Sequence, residues 1–266
     1  MSYIIRGGIE GRERLRMLAG IHRSTTLRLL ERAGVRSGMV GLDIGCGGGD
    51  VSFELARLVS PGGRVVAIDA DRVKIDIARA EARAQGIDNI DFRVGDLEEC
   101  EFPQHVDFSH ARFVLTHLHN PSGVLVKLRA ALKPGGIIVL ADTNFHGLFS
   151  HPDNPVVHRY VEIYAKTLKQ RNGDADIGVR LPELLATAGF EDVNIGVVQH
   201  AGMSGDAKLI SPVTLENIAD AAVAEGVASR AEVEKLVAEL YDFARDPKTV
   251  LSGPRIIETW ARRPPD

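Results

Sequence analysis

Residues 42–50, Leu-Asp-Ile-Gly-Cys-Gly-Gly-Gly-Asp, constrain this chain more than any other stretch. A short apolar run (Met39, Val40, Leu42) leads into it and an amphipathic stretch from Val51 to Val59 leads out. The segment therefore reads as strand, glycine turn and helix. Glycines at 45, 47 and 49 let the backbone turn sharply and approach a ligand, because no Cβ stands in the way. Glycine-rich turns are common. Asp43 at the strand end and the alternation of the three glycines are what sharpen this one.

Two cofactor classes use such a turn. The dinucleotide fingerprint, G-x-G-x-x-G/A, brings a pyrophosphate to the helix N-terminus. Counted from Gly45 its last position falls on Asp50, and counted from Gly47 it falls on Ser52. An acid at a helix start suits the helix dipole but repels a polyphosphate. A cofactor without phosphates does not meet that repulsion.

Further strands follow in order. Arg64–Asp69 is apolar and ends in an acid able to accept two hydrogen bonds from a ribose diol, a feature shared by nicotinamide enzymes. The plain alternative is that Asp69 or Asp71 only caps a helix over Arg72–Gln85. Ile90–Val94 runs into Gly95-Asp96-Leu97, and Val106–Ala111 runs into Arg112–Leu118. Asn120-Pro121 starts a helix with Asn as cap and Pro at its first position. Leu125, Leu128 and Leu132 share a face, and residues 133–136, Lys-Pro-Gly-Gly, are expected to stop that helix. Ile137–Ala141 is expected as the fifth strand, Val193–Gln199 as the sixth and Pro254–Ala261 as the seventh.

The hydrophobic-Asp-x-Gly-x-Gly-x-Gly turn, with the later motifs in this order, resembles the class I S-adenosylmethionine-dependent methyltransferase family, in its bacterial small-molecule subgroup. The resemblance implies an α/β fold: a Rossmann-like seven-stranded, mostly parallel sheet, helices on both faces, the last strand antiparallel between the fifth and sixth, and a helical lid. It implies S-adenosylmethionine as cofactor and S-adenosylhomocysteine as product. Asp43, Gly45, Gly47, Gly49, Asp69 and Ala70 would then lie along the cofactor. Asp96 would receive the adenine amino group, the Leu97 amide would reach a ring nitrogen, and Ala111 and Arg112 would follow the fourth strand. Tyr3 and Arg14 lie in an N-terminal segment that, by the same likeness, folds over the cofactor.

The implied organisation is an N-terminal helical segment (1–36), a cofactor-binding core (37–142), a lid insertion (143–180), more core (181–200), a helical lid (201–253) and the last strand (254–266). Before the first strand, Leu15, Leu18 and Ala19, then Leu27, Leu30 and Ala33, form helical stripes that Gly34 ends. Both insertions leave the carboxyl edge of the sheet, where open α/β sheets bind ligands. In the second, Thr214 is expected to cap one helix and Ser229 with Glu232 another.

Composition sets limits. A formal charge of −4, from 32 basic and 36 acidic residues, supplies no drive toward nucleic acid or anionic membranes. The first residues do not resemble a signal peptide, and no apolar run approaches the ~20 residues of a membrane helix. Two cysteines point to a reducing, cytoplasmic setting, and His and Cys show no metal-ligand spacing. Amine methyltransferases of nucleic acids carry a proline motif after the fourth strand. Here residues 109–112 read Ser-His-Ala-Arg, so the expected partner is a small-molecule acceptor. Monomer and homodimer both stay open.

Methyl transfer needs a nucleophile held in line with the leaving sulfur and, for a neutral acceptor, a group to take its proton. His117, Asp142 and His146 follow strand ends on the ligand edge and are the candidates. Each also has a plain reading: backbone bonding, turn bracing and a solvated loop, respectively. Tyr160 and Tyr164, four apart, are either pocket or packing. His110 is expected in the core with its hydrogen bonds met. The competing functions are a protein that binds the same cofactor on this fold without transferring methyl, and an NAD(P) oxidoreductase.

Overall fold

A computed structural model describes residues 4–265, except for the side chains of residues 8–10. Helix α1 (Gly8–Ala33) runs unbroken and closes at Gly34 in the left-handed conformation. Then come β1 (Val40–Ile44), α2 (Asp50–Val59), β2 (Arg64–Asp69), α3 (Arg72–Ala84), β3 (Ile90–Val94), β4 (Val106–Arg112), α4 (Pro121–Ala131) and β5 (Leu132–Asn144). The second half carries β6 (Ser150–His151), α5 (Pro155–Gln170), α6 (Leu181–Thr187), β7 (Glu191–Val198), β8 (Ala201–Gly202), α7 (Asp206–Ala224), α8 (Arg230–Arg245), β9 (Val250–Ser252) and β10 (Arg255–Arg262).

Seven strands form one sheet in the order β3-β2-β1-β4-β5-β10-β7. The pairs among β1 to β5 are parallel, and β10 runs antiparallel between β5 and β7. The fold is the Rossmann-like architecture, with an antiparallel last strand, that the family resemblance implies. Helices cover both faces. Leu125 and Leu128 of α4 pack with Leu181 and Leu185 of α6 on one side. Leu29 and Leu30 of α1 pack with Leu55 and Val59 of α2 on the other.

Side-chain caps open four of the eight described helices, α3, α4, α5 and α8. Asn120 Oδ1 accepts from the Gly123 N–H (2.9 Å) with Pro121 in the first turn. Asp71 Oδ1 accepts from the Val73 and Lys74 amides, and Ser229 Oγ accepts from the Glu232 amide. Two expectations fail. The fifth strand begins directly at Leu132, where α4 ends at Ala131, because Leu132 pairs with Val106 across a register shift. Thr214 caps nothing: α7 already starts after Gly205 and runs through Pro212, and Thr214 Oγ1 accepts a bond from Arg14 instead.

Helices α5, α7 and α8 share a second apolar core with Ile4, Ile5 and Phe145, next to a small sheet of β6, β9 and β8. Ile5, Phe145, Tyr160 and Tyr164 belong to this core and also face the main cavity. Packing in the second core thereby shapes one wall of the site. No helix among the described residues is long and apolar enough to cross a membrane.

Candidate functional site

A cavity of about 510 Å³ opens at the carboxyl ends of the parallel strands. That volume lies within the range of small-molecule sites, roughly 300–1,000 Å³. The turn after β1 contributes Gly45, Cys46, Gly47 and Gly48; the end of β2 contributes Asp69, Ala70 and Asp71; the end of β4 contributes His110 and Arg112. Helix α1 lies across this edge with Arg14, Leu15, Leu18 and His22, and α5 and α7 form the opposite wall.

The glycine turn depends on conformations that side chains disfavour. Gly45 has φ +64° and Gly47 has φ +54°, and a Cβ on Gly45 would lie 2.4 Å from Val114 Cγ2. The Gly47 amide donates to Asp69 Oδ2 (2.8 Å) and the Asp71 amide to Asp69 Oδ1 (2.9 Å). Asp69 thus ties the turn to the end of β2. Burial pushes its pKa up, against the pull of these amides.

Asp43 serves differently from an open ligand. Its Oδ1 lies 2.8 Å from His110 Nδ1, and its Oδ2 accepts from Ser52 Oγ at 2.5 Å. His110 is therefore only half satisfied, contrary to the sequence expectation: Nε2 is buried and has no hydrogen-bond partner among the described residues. Asp50 opens α2 and receives both terminal nitrogens of Arg12, at 2.6 and 2.9 Å. Four carboxylates, those of Asp43, Asp50, Asp69 and Asp71, stand on this end of the wall. Asp50 is paired with Arg12 and Asp71 lies 3.6 Å from Lys74, so the repulsion of a pyrophosphate rests on Asp43 and Asp69.

The other end of the wall has no carboxylate. Arg14, His117, Phe145, Tyr160, Tyr164, Ser211 and Thr214 gather there. Phe145 and Tyr164 stack in parallel, with centroids 3.8 Å apart. His117 sits in a 3-10 turn (Leu115–His117) and is buried. Burial, with Arg14 and Lys74 nearby, lowers its pKa to about 3, so the ring is neutral at ordinary pH. Phe113, also on the wall, has a left-handed backbone (φ +58°) and packs edge-on to His22, which packs edge-on to His200. Non-glycine residues in that region cluster at functional sites.

Several expected site residues stand elsewhere. His146 is exposed, its Nδ1 pairs with Asp176, and it does not line the cavity. Asp142 is buried behind the wall, where its carboxylate accepts from the amides of Thr143 (2.8 Å) and Thr116 (3.2 Å) and so holds the turn that carries His117. Asp96 closes a turn by accepting from the Glu98 amide, while neighbouring Leu97 does reach the wall. Gly49 caps α2 and Ala111 is buried in β4, each one residue from the wall. Tyr3 lies outside the described residues. His22, His200, Ser211 and the role of His110 carried no sequence signal, since they come from segments far apart in the chain. Among the described residues, no group of His, Cys, Asp and Glu could hold a metal ion.

Burial raises the Asp142 pKa to about 7 despite its amide donors. A carboxyl harder to ionise in the folded than in the unfolded chain removes stability as pH rises from about 4 to about 7, by up to ~1.4 kcal/mol per pH unit. Urea unfolding at pH 5, 6 and 7 is expected to show wild type losing ground to Asp142→Asn as pH rises. A difference constant across that window would mean that Asp142 does not titrate there.

Residues 35–175, just over half of the chain, match the family model of the methyltransferase domain. The chain belongs to that family. A curated relative is the ubiquinone/menaquinone biosynthesis C-methyltransferase UbiE of Hahella chejuensis, 31% identical over 151 residues. The match covers 56% of this chain and 58% of that enzyme, so the chain spans little more than half of the relative's length. Solved structures share the family fold. The Bacillus halodurans protein BH2331 superposes with a TM-score of 0.61 at 22% identity, over 91% of this chain and 99% of that one. The [4+2]-cyclase SpnF gives 0.57 at 23% identity, over 92% and 82%.

Proposed function

We propose that this chain transfers the methyl group of S-adenosylmethionine to a small acceptor in the cavity at the carboxyl edge of the sheet. One observation carries the reading. A glycine turn tied to the acid that ends β2, with four carboxylates on its wall and no phosphate-binding position, opens into the same cavity as an acid-free end lined with a neutral histidine. The residues present suit the cofactor, a cation free of phosphates that carries a ribose diol and one carboxylate. Asp69 would take the diol, Leu97 and Ala70 would border the adenine, and the turn at Gly45 and Gly47 would admit the ligand to the backbone. Arg112, half-buried and in no ion pair among the described residues, would receive the carboxylate. Asp43 acts through His110, holding the ring in place beside the cofactor.

Bound there, S-adenosylmethionine supplies a methyl group already activated on a sulfonium. What remains for the chain is to align the acceptor, exclude water and take a proton. Positioning can supply up to ~7–11 kcal/mol of a barrier. Helix α1, residues 143–180 and residues 201–253 would act as the cover that keeps water out. His117, neutral and on the wall but with a pKa of about 3, would take the acceptor's proton only as methyl transfer makes that proton strongly acidic; His146 and Asp142, off the wall, would not.

His117→Ala is expected to lower kcat by about 10²-fold and to leave S-adenosylmethionine affinity within threefold. Full activity in that variant would rule out His117 as the proton acceptor. A protein that binds the cofactor without methyl transfer would release no S-adenosylhomocysteine whatever acceptor is supplied. Release dependent on an acceptor, followed over a metabolite panel, tests the proposal itself.

A further inference from the structure

The two arginines on the cavity wall raise a question of charge. Arg14 hydrogen-bonds Thr214 Oγ1 through Nε (3.1 Å), and Arg112 hydrogen-bonds Thr26 Oγ1 through Nη1 (3.0 Å). Neither forms an ion pair among the described residues, although Lys74 on the same wall lies 3.6 Å from Asp71. Arg14 is only 8% exposed. A buried guanidinium without a countercharge is strongly unfavourable, so such a group calls for an anion from a ligand. The cofactor carries one carboxylate, and Arg112 stands nearer the glycine turn, at the end of β4 where Ala111 pairs with Ile44 of β1. That leaves Arg14 over.

The surroundings of Arg14 point the same way. Residues 207, 210, 211 and 214 of α7 all line the cavity, one face of that helix at i, i+3, i+4 and i+7. Ser211 on this face is 1% exposed, and its Oγ makes no well-formed hydrogen bond. The Tyr160 hydroxyl, equally buried, faces the Thr214 and Ser211 hydroxyls and lies within the field of Arg14. Three donors thus converge at an end of the cavity that has no carboxylate to repel an anion. Beside them the stacked Phe145 and Tyr164 offer a flat apolar wall.

We propose that Arg14, Ser211 and Tyr160 form an oxyanion receptor for the acceptor, which is therefore an aromatic or conjugated carboxylic acid rather than an amine cation. The inference rests on reading the cavity as a methyl-transfer site, and it moves Arg14 from the cofactor to the acceptor. A buried Arg–carboxylate pair gains both charge and bidentate geometry, so a neutral amide of the same shape binds less well.

The test uses the full chain and a panel of benzoate, 4-hydroxybenzoate, cinnamate and 1-naphthoate with their primary amides. Thermal shift and calorimetry are run with and without S-adenosylhomocysteine. At least one acid should bind tenfold or more tightly than its amide. Arg14→Gln should remove that preference and weaken the acid tenfold or more, with S-adenosylhomocysteine affinity changed less than threefold. Ser211→Ala should weaken the acid about fivefold, and it carries the comparison if Arg14→Gln does not fold. Two results would overturn the proposal: no acid preferred over its amide, or an Arg14→Gln variant that loses S-adenosylhomocysteine tenfold and keeps the acid. Failure of the wild-type chain to bind S-adenosylhomocysteine would count against the methyl-transfer reading instead, and the panel without it would still decide the receptor.

Discussion

Gly47→Val is expected to weaken S-adenosylhomocysteine binding by at least about 100-fold, a loss near 2.8 kcal/mol. Gly47 holds φ +54°, and its amide is the donor that links the turn to Asp69. A β-branched residue avoids that region at a cost of roughly 1–2 kcal/mol. The new Cβ would also stand 2.9 Å from Leu15 Cδ1 of the overlying helix. Leu15 can shift, so the chain should still fold, with a thermal midpoint lower by about 2–8 °C. The turn has no such freedom: it must either flatten or leave Asp69, and both close the approach to the ligand. Calorimetry with wild-type affinity in the variant would remove the turn from the binding site.

Asp69→Ala should have a comparable effect by a different route. The carboxylate accepts from the Gly47 and Asp71 amides and faces the cavity. Its removal leaves two amides without their acceptor and takes away the group placed to bind a ribose diol. Bonds to charged groups contribute about 1.5–3 kcal/mol each, so a loss of about 100-fold in affinity is expected. Asp69→Asn, which keeps one acceptor oxygen, should fall between wild type and the alanine variant. An alanine variant with unchanged affinity would mean that Asp69 only braces the turn.

Features set by local rules were legible in the chain. The glycine turn, the acid that ends β2, Asn120 as cap and Ser229 as cap all depend on a few adjacent residues, and each stands where the spacing put it. The antiparallel place of β10 came from family likeness, since nothing local fixes a partner strand. Reading failed where long-range contacts overrode local preference. Thr214 reads as a helix cap, yet α7 begins eight residues earlier and Thr214 is taken up by Arg14, 200 residues away. His146 and His117 both follow strand ends, and only the three-dimensional turn decides that one faces solvent and the other the cavity. His110 reads as core because its strand is buried; that its second nitrogen is left unbonded depends on Asp43 across the sheet. The set of Arg14, Tyr160 and Ser211 spans three helices and has no linear pattern at all.

The most direct test of the central claim is a pair of calorimetric titrations of the purified chain, one with S-adenosylmethionine and one with NAD. Saturable one-to-one binding of S-adenosylmethionine with no heat from NAD is the predicted result, because the turn carries acids and lacks a pyrophosphate site. Binding of NAD with no response to S-adenosylmethionine would contradict the account at its root.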